Sequence, residues 1–276
     1  VTKKNPYPIT DDHIHIHPGT GRGLEAAKDF MKSGGTHIFL VSLPSWSYGI
    51  VPGKGEDYRP VFEATLKTAA AIRELGLVVF PVLGIHPAEI TYFSEVRTEG
   101  EMAAIMQEGL SLAARYVADG QAVALKSGRP HYPVSPGCWD LSNEVLFHAL
   151  HLGKTCGCAV QIHAETGPCT DVISMAEKAG MDPGRVVKHF ATPETLLAPS
   201  FIARHEAIPA LCREKRAFTM ESDYMDDPTR PGAVIGPRSV PRYTTRLLTE
   251  GEITLEDVYR IHTETPSRVY GVEIVL

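Results

Sequence analysis

Short, nearly continuous apolar runs recur along the chain at 7–12, 36–42, 77–84, 121–127, 159–163, 185–189 and 217–222. Each is rich in Val, Ile, Phe or Ala and too short for a buried helix, as expected of parallel strands covered on the outside. Between them the apolar positions change to a helical period, over 24–32, 61–75, 101–118, 143–154, 170–178, 206–215, 243–249 and 255–263. Strands and helices therefore alternate over most of the chain, which predicts a (β/α)8 TIM barrel, α/β in class and distorted. One strand is hard to read, because a helix, a strand and a further helix must fit between His189 and Asp223; 201–204 is the best segment for it. A doubly wound open sheet is the alternative, and it would scatter the chemistry described below over two places.

Glycine (24) and proline (21) are spread as punctuation between these segments, and no linker or low-complexity tract interrupts them. The expectation is one domain, 1–276. The start, VTKKNPYPIT, has lysines without an apolar stretch behind them, and no run is long enough to cross a membrane. Cys138, Cys156, Cys158, Cys169 and Cys212 are odd in number, and Cys156-Gly157-Cys158 has one residue too few for a redox pair. Free thiols in a cytoplasmic protein are the reading. A net charge of −6 does not favour nucleic acid as a partner, although bound divalent ions would change the sign locally.

The polar residues that close the strands carry the chemistry. His13 and His15, in ITDDHIHIHP, are two apart on an extended segment and so emerge on one face, where two imidazoles can grip a divalent ion. His163 ends AVQIH, His189 ends RVVKH, and Asp223 follows FTMES. A TIM barrel gathers the C-terminal ends of its strands at one rim, so these residues would meet there. Such a His-rich set with a carboxylate suits zinc, with manganese, nickel, iron or magnesium also possible. A metal-activated water, with Asp223 placed to take its proton, needs no protein nucleophile, and the lack of a GxSxG or a convincing Cys-His pairing is consistent with that choice.

The order DDHIHIH, GIHP at 84–87, a strand ending near 126, IHAE at 162–165, KHF at 188–190, ESD at 221–223 and TPSRVYGV near the end resembles the amidohydrolase superfamily, and within it the TatD-related hydrolases. The resemblance covers most of the chain. It implies a centre of two divalent ions, with His13, His15 and Asp223 around one and His163 and His189 on the other. It also implies that His86 lies near the substrate, and that the enzyme hydrolyses phosphoesters, as a nuclease acting on DNA ends would.

One position departs from that pattern. TatD-like proteins usually carry a bridging glutamate where this chain has Lys126. An ammonium about 4 Å from a dication is repelled by roughly 8 kcal/mol even at an effective dielectric of about 20. Either burial frees the amine to capture carbon dioxide as a bridging carbamate, or Lys126 stays cationic beside one ion or none. Carboxylated lysine serves phosphotriesterase-like and dihydroorotase-like members of the superfamily, so a lactonase, amidohydrolase or phosphotriesterase-like activity is a second reading. A non-catalytic metal- or ligand-binding barrel is a third.

Around these residues, Arg129 and His131 in the loop after Lys126 are read as holding an anionic substrate group, a solvated loop charge being the plainer account of Arg129. Glu165 either orients a histidine from behind or serves as a helix N-terminal charge. Glu221 shares the parity of Asp223 and either points into the barrel or makes a structural ion pair. His17 continues the parity of His15 but precedes Pro18-Gly19, where the strand should have ended. His37, His148, His151, His205 and His262 are read as surface or packing residues. A long loop over 223–237, with Arg230, either closes over substrate or is a proline-stiffened connection.

Overall fold

The computed structural model describes residues 5–229 and 234–276, so Arg230 lies outside the described residues. In chain order the elements are β1 (Thr10–His15), α1 (Leu24–Lys32), β2 (His37–Val41), α2 (Arg59–Arg73), β3 (Val78–Gly84), α3 (Glu89–Tyr92), α4 (Glu99–Ala118), β4 (Ala124–Gly128), α5 (Pro136–Cys156) and β5 (Ala159–His163). They continue with α6 (Thr170–Lys178), β6 (Val186–Lys188), β7 (Ala198–Ile202), α7 (Ile208–Arg213), β8 (Thr219–Glu221), β9 (Tyr224–Met225), α8 (Ser239–Thr249), α9 (Leu255–Tyr259) and α10 (Thr265–Tyr270).

Strands β1 to β8 stand side by side in chain order, all parallel, and β9 lies on the far side of β1. Because β9 directly follows β8, the last strand reaches the first: Ile14 pairs with Tyr224 and His15 with Met225. The sheet thus curls round on itself into the expected distorted (β/α)8 barrel. The corner is Asp223, whose backbone takes a left-handed φ of 45° and whose N–H donates to the His13 carbonyl at 2.9 Å.

Period-two alternation explains both the core and the site. Ala124 and Ala159 point inward with Phe39, Val41, Val82 and Val187 to fill the lower barrel, plugged by Tyr270 of α10. Leu125, Val160 and Ile162 point outward into the apolar layer under α4 and α5. One inward step further along the same strands come Lys126, Gln161 and then His163. Apolar packing below and polar side chains above are therefore consecutive layers of one interior.

Boundaries moved where side chains overrode the apolar pattern. The first strand, read at 7–12, lies at Thr10–His15, so His13 and His15 belong to the strand instead of trailing it. The weak strand read at 201–204 is Ala198–Ile202. The helix read from 143 begins at Pro136, because the Ser135 hydroxyl accepts from the Cys138 N–H at 3.0 Å and proline suits the first turn. All five cysteines are free. Among the described residues no helix is long and apolar enough to cross a membrane.

Candidate metal centre

The barrel mouth collects four histidines from three strand ends. His13 and His15 stand on the inward face of β1, with their Nε2 atoms 3.0 Å apart. His189, just past β6, lies flat against His13, ring centroids 4.2 Å apart and planes 10° from parallel. His163, at the end of β5, places Nδ1 2.8 Å from the His189 Nε2. Asp223 completes the set: its Oδ1 is 3.7 Å from Nε2 of His13 and 3.9 Å from Nε2 of His15. One ligand atom each from His13, His189 and Asp223 lies within 4.8 Å of the others.

Tetrahedral coordination at zinc–nitrogen distances of about 2.0–2.1 Å sets ligand atoms about 3.3 Å apart. The separations among His13, His15 and Asp223 bracket that value. The Lys126 Nζ atom is buried without a hydrogen-bond partner, a costly state for a polar group that has nothing to bind. The donor set and its spacing fit a divalent ion.

Burial also prepares the donors. It holds His13, His163 and His189 well below the ordinary imidazole range and takes His15 down to about 3, with Lys126 adding repulsion at His13, His15 and His189. All four imidazoles are consequently neutral near pH 7, with lone pairs available to a metal. The tautomer of His15 is steered by its Nδ1, 3.0 Å from the Val41 carbonyl oxygen.

Lys126 stands inward on β4, 2 % exposed. Burial lowers its amine to about 7, against the opposing pull of Asp223 and Glu221. Its strand is pressed close to both neighbours. A side chain at Gly84 would place Cβ 1.9 Å from the Lys126 carbonyl oxygen, and one at Gly128, where φ is 148°, would sit 1.9 Å from that of His163. Only glycine admits this approach.

Beneath the histidines lies a buried acidic layer that the apolar pattern did not reveal. Asp11 accepts from the Ser222 and His13 N–H groups at 2.9 and 3.2 Å, and Asp12 from the Thr219 and Tyr270 hydroxyls at 2.9 and 3.1 Å. Burial raises both carboxyls to about 7. Glu221 is buried too; it accepts from the Phe190 N–H at 2.8 Å and lies 3.4 Å from Nδ1 of His189. Of its two readings, the inward-pointing one holds. A second buried lysine, Lys188, was not singled out from sequence; its Nζ donates to the His189 carbonyl at 2.7 Å. The parity of Asp11 with His13 was the one available hint.

The remaining residues separate into those at the mouth and those elsewhere. His131 reaches over from the loop after β4, its Nδ1 2.6 Å from Nε2 of His163. The His86 ring is 4.8 Å from that of His163. Arg129 is 1 % exposed and is held by Glu165, Asp171 and the Asn143 side-chain oxygen, so its donors face neighbouring helices instead of an open anion site. Glu165 accordingly accepts from Arg129 and not from a histidine. His17 is buried, with Nε2 3.0 Å from the Ser47 carbonyl oxygen. His262 packs between β1 and α8, 2.9 Å from the Thr244 hydroxyl, and His148 meets Ser111 at 2.9 Å.

Comparison with known proteins adds the following. The sequence pattern of TatD-related DNases matches residues 10–271. The uncharacterised protein MJ1127 of Methanocaldococcus jannaschii is 34% identical over 281 aligned positions, 98% of each chain. Among solved structures, the phosphotriesterase homology protein of Escherichia coli, complexed with phosphate in its active site, superimposes with a TM-score of 0.64 at 16% identity, covering 96% of this chain and 99% of its own. The lactonase Lmo2620 of Listeria monocytogenes gives 0.65 at 13% identity over 95% and 94%. The organophosphorus hydrolase of Deinococcus radiodurans gives 0.59 at 16% over 95% and 92%. At such identities the structural likenesses concern the fold.

Proposed function

The chain belongs to the TatD-related DNase family, and from that premise we propose that it hydrolyses a phosphoester at a centre of two divalent ions in the mouth of its barrel. The observation that carries this reading is the convergence of His13, His189 and Asp223 within 4.8 Å, at the strand ends where barrel enzymes keep their chemistry. His13, His15 and Asp223 would hold one ion, His163 and His189 the other, and Lys126 would lie between them. Zinc suits so nitrogen-rich a set best. When bound, the ions would supply Lewis acidity, which acidifies a water and polarises the scissile group.

The side chains do the rest. Asp223 is more open than His13 and His15, its side chain 14% exposed against 0% and 4%, and it projects from the bent corner between β8 and β9. It takes the proton of the attacking water and returns it to the leaving oxygen. His131 and His86, beside His163, hydrogen-bond the substrate's non-scissile oxygens. Asp11 and Glu221 position the donors from beneath, Asp11 by accepting from the His13 N–H and Glu221 from beside Nδ1 of His189. Near neutral pH a substantial fraction of Lys126 is the free amine, because burial disfavours the ammonium. That amine attacks carbon dioxide, a C–N bond forms, one proton leaves to solvent, and the carbamate presents two oxygens where the family usually has a glutamate.

A second reading, lactone hydrolysis, is favoured by Lys126 and by the lactonase and organophosphorus hydrolase among the structural neighbours. The deciding assay offers the zinc-loaded protein bis(p-nitrophenyl) phosphate and a γ-lactone. Diester cleavage that EDTA abolishes and zinc restores is the expected result. Turnover of the lactone alone moves the activity to the second reading, and metal binding without turnover of either points to a non-catalytic barrel.

A further inference from the structure

Four arginines gather on one side of the barrel mouth. Arg22 comes from the loop after β1, Arg204 from the turn after β7, and Arg238 and Arg242 from the start of α8. They line an open cleft of about 440 Å³ in which, among the described residues, Asp29 is the one acid. The Asp29 carboxylate is occupied by two of them, accepting from Nη2 of Arg22 at 2.7 Å and from Nη2 of Arg238. Arg204 and Arg242 are exposed and make no ion pair with any described residue, although both also border an adjoining cleft that holds Glu206, Glu252 and Arg246. The cleft therefore carries a surplus of positive charge in a chain whose net charge is −6.

Two further features agree. The first turn of α8 holds no acidic residue and has no side-chain cap, so the positive end of its dipole adds to the arginines. Arg204 takes a left-handed φ of 81°, a conformation that glycine or asparagine would adopt more cheaply if the turn were the only requirement. The cleft is also tied to the metal centre. Asp226 accepts from the backbone N–H groups of Arg22 and Gly23 at 2.7 and 2.8 Å, and it stands three residues beyond Asp223, at most about 10 Å of chain.

The geometry points to a second anion subsite, in which Arg204 and Arg242, with Arg22 and Arg238 braced on Asp29, hold a phosphate of the substrate other than the scissile one. Guanidinium forks suit phosphate oxygens, and Asp226 joins the loop that carries Arg22 to the segment that carries Asp223. The inference rests on the phosphoester reading for the identity of the anion. It deepens that reading by requiring a substrate with at least two phosphate groups.

The test compares the p-nitrophenyl ester of thymidine 5′-phosphate with the same ester bearing a 3′-phosphate, using the metal-loaded protein. Wild type should prefer the second ester in kcat/KM. In the double variant Arg204→Ala/Arg242→Ala that preference should fall by about tenfold for each arginine removed. Arg246→Ala, which removes a charge from the same helix outside this cleft, should retain it. A double variant with the wild-type preference overturns the subsite. If wild type cleaves neither ester, the phosphoester reading fails, and 31P titration with inorganic phosphate decides the cleft separately. A binding event present in wild type and absent from the double variant supports it; identical titrations overturn it.

Discussion

His13 and His189 stack face to face at 4.2 Å although they come from β1 and the end of β6, on different walls of the barrel. Two imidazolium ions could not share that spacing in a buried site. Burial and the nearby Lys126 keep both rings neutral, and neutral rings leave nitrogen lone pairs available in the space they share with Asp223.

Asp223→Asn keeps the shape of the side chain but removes its basicity. Turnover should fall by about 100-fold or more, the contribution usual for a positioned general base, with the thermal midpoint little changed. Steady-state kinetics beside calorimetry checks this. An active Asn variant would remove Asp223 from proton transfer.

Lys126→Ala should lose bound metal and activity, and short-chain carboxylates such as acetate should restore part of both by supplying the missing bridge. Failure of any carboxylate to rescue would count against the carbamate. Lys126 also has a pH signature in EDTA-treated protein. Its folded-state value, about 7, is depressed below the ordinary 10.5, so its contribution to stability is present above 10.5 and is lost as pH falls toward 7. Lys126→Met should thus make the stripped protein more resistant to urea at pH 7, and a less resistant variant would contradict the buried, unpartnered amine.

How much of this was legible in the sequence follows from the same residues. The barrel was readable because parallel strands under helices are uniformly apolar and short, and the ring of donors because His163, His189 and Asp223 each close such a run. The acidic layer was not, because Asp11 and Asp12 merely close the run read at 7–12, and the groups that bury and bond them, Thr219, Ser222 and Tyr270, lie more than 200 residues further along the chain. The reading of Arg129 missed its partners for a different reason: Glu165 and Asp171 are far along the chain, and only the packing of α6 against the loop after β4 brings them together. The cleft of arginines is likewise assembled from two loops and the start of α8, far apart along the chain.

Gly128→Ala should disturb the centre from behind. A Cβ there meets the His163 carbonyl oxygen at 1.9 Å, so β4 and β5 must separate. A loss of about 1–3 kcal/mol, as for other overpacked sites, should accompany weaker zinc retention. Urea unfolding and metal analysis of the purified variant test both effects; wild-type values would show that the strands tolerate the methyl group.

His262 lies away from the donors and reports on acid stability. Burial depresses it from 6.5 to about 4, so its contribution is complete above 6.5 and is lost as pH falls through 4. Asp12, raised to about 7, works in the opposite sense: its contribution is complete below 3.8 and is lost as pH rises through 7. Replacing His262 by Gln should flatten the decline in unfolding free energy between pH 6.5 and 4 by on the order of 3 kcal/mol. An unchanged slope would mean that His262 does not stay neutral in the folded protein.

The most direct measurement is anomalous scattering at the zinc edge from crystals of the zinc-loaded protein. Two peaks should appear, one against His13, His15 and Asp223 and one against His163 and His189, with continuous density from Lys126 Nζ forming a fork between them. A single peak beside an unextended lysine, or none after soaking, would contradict the two-ion centre.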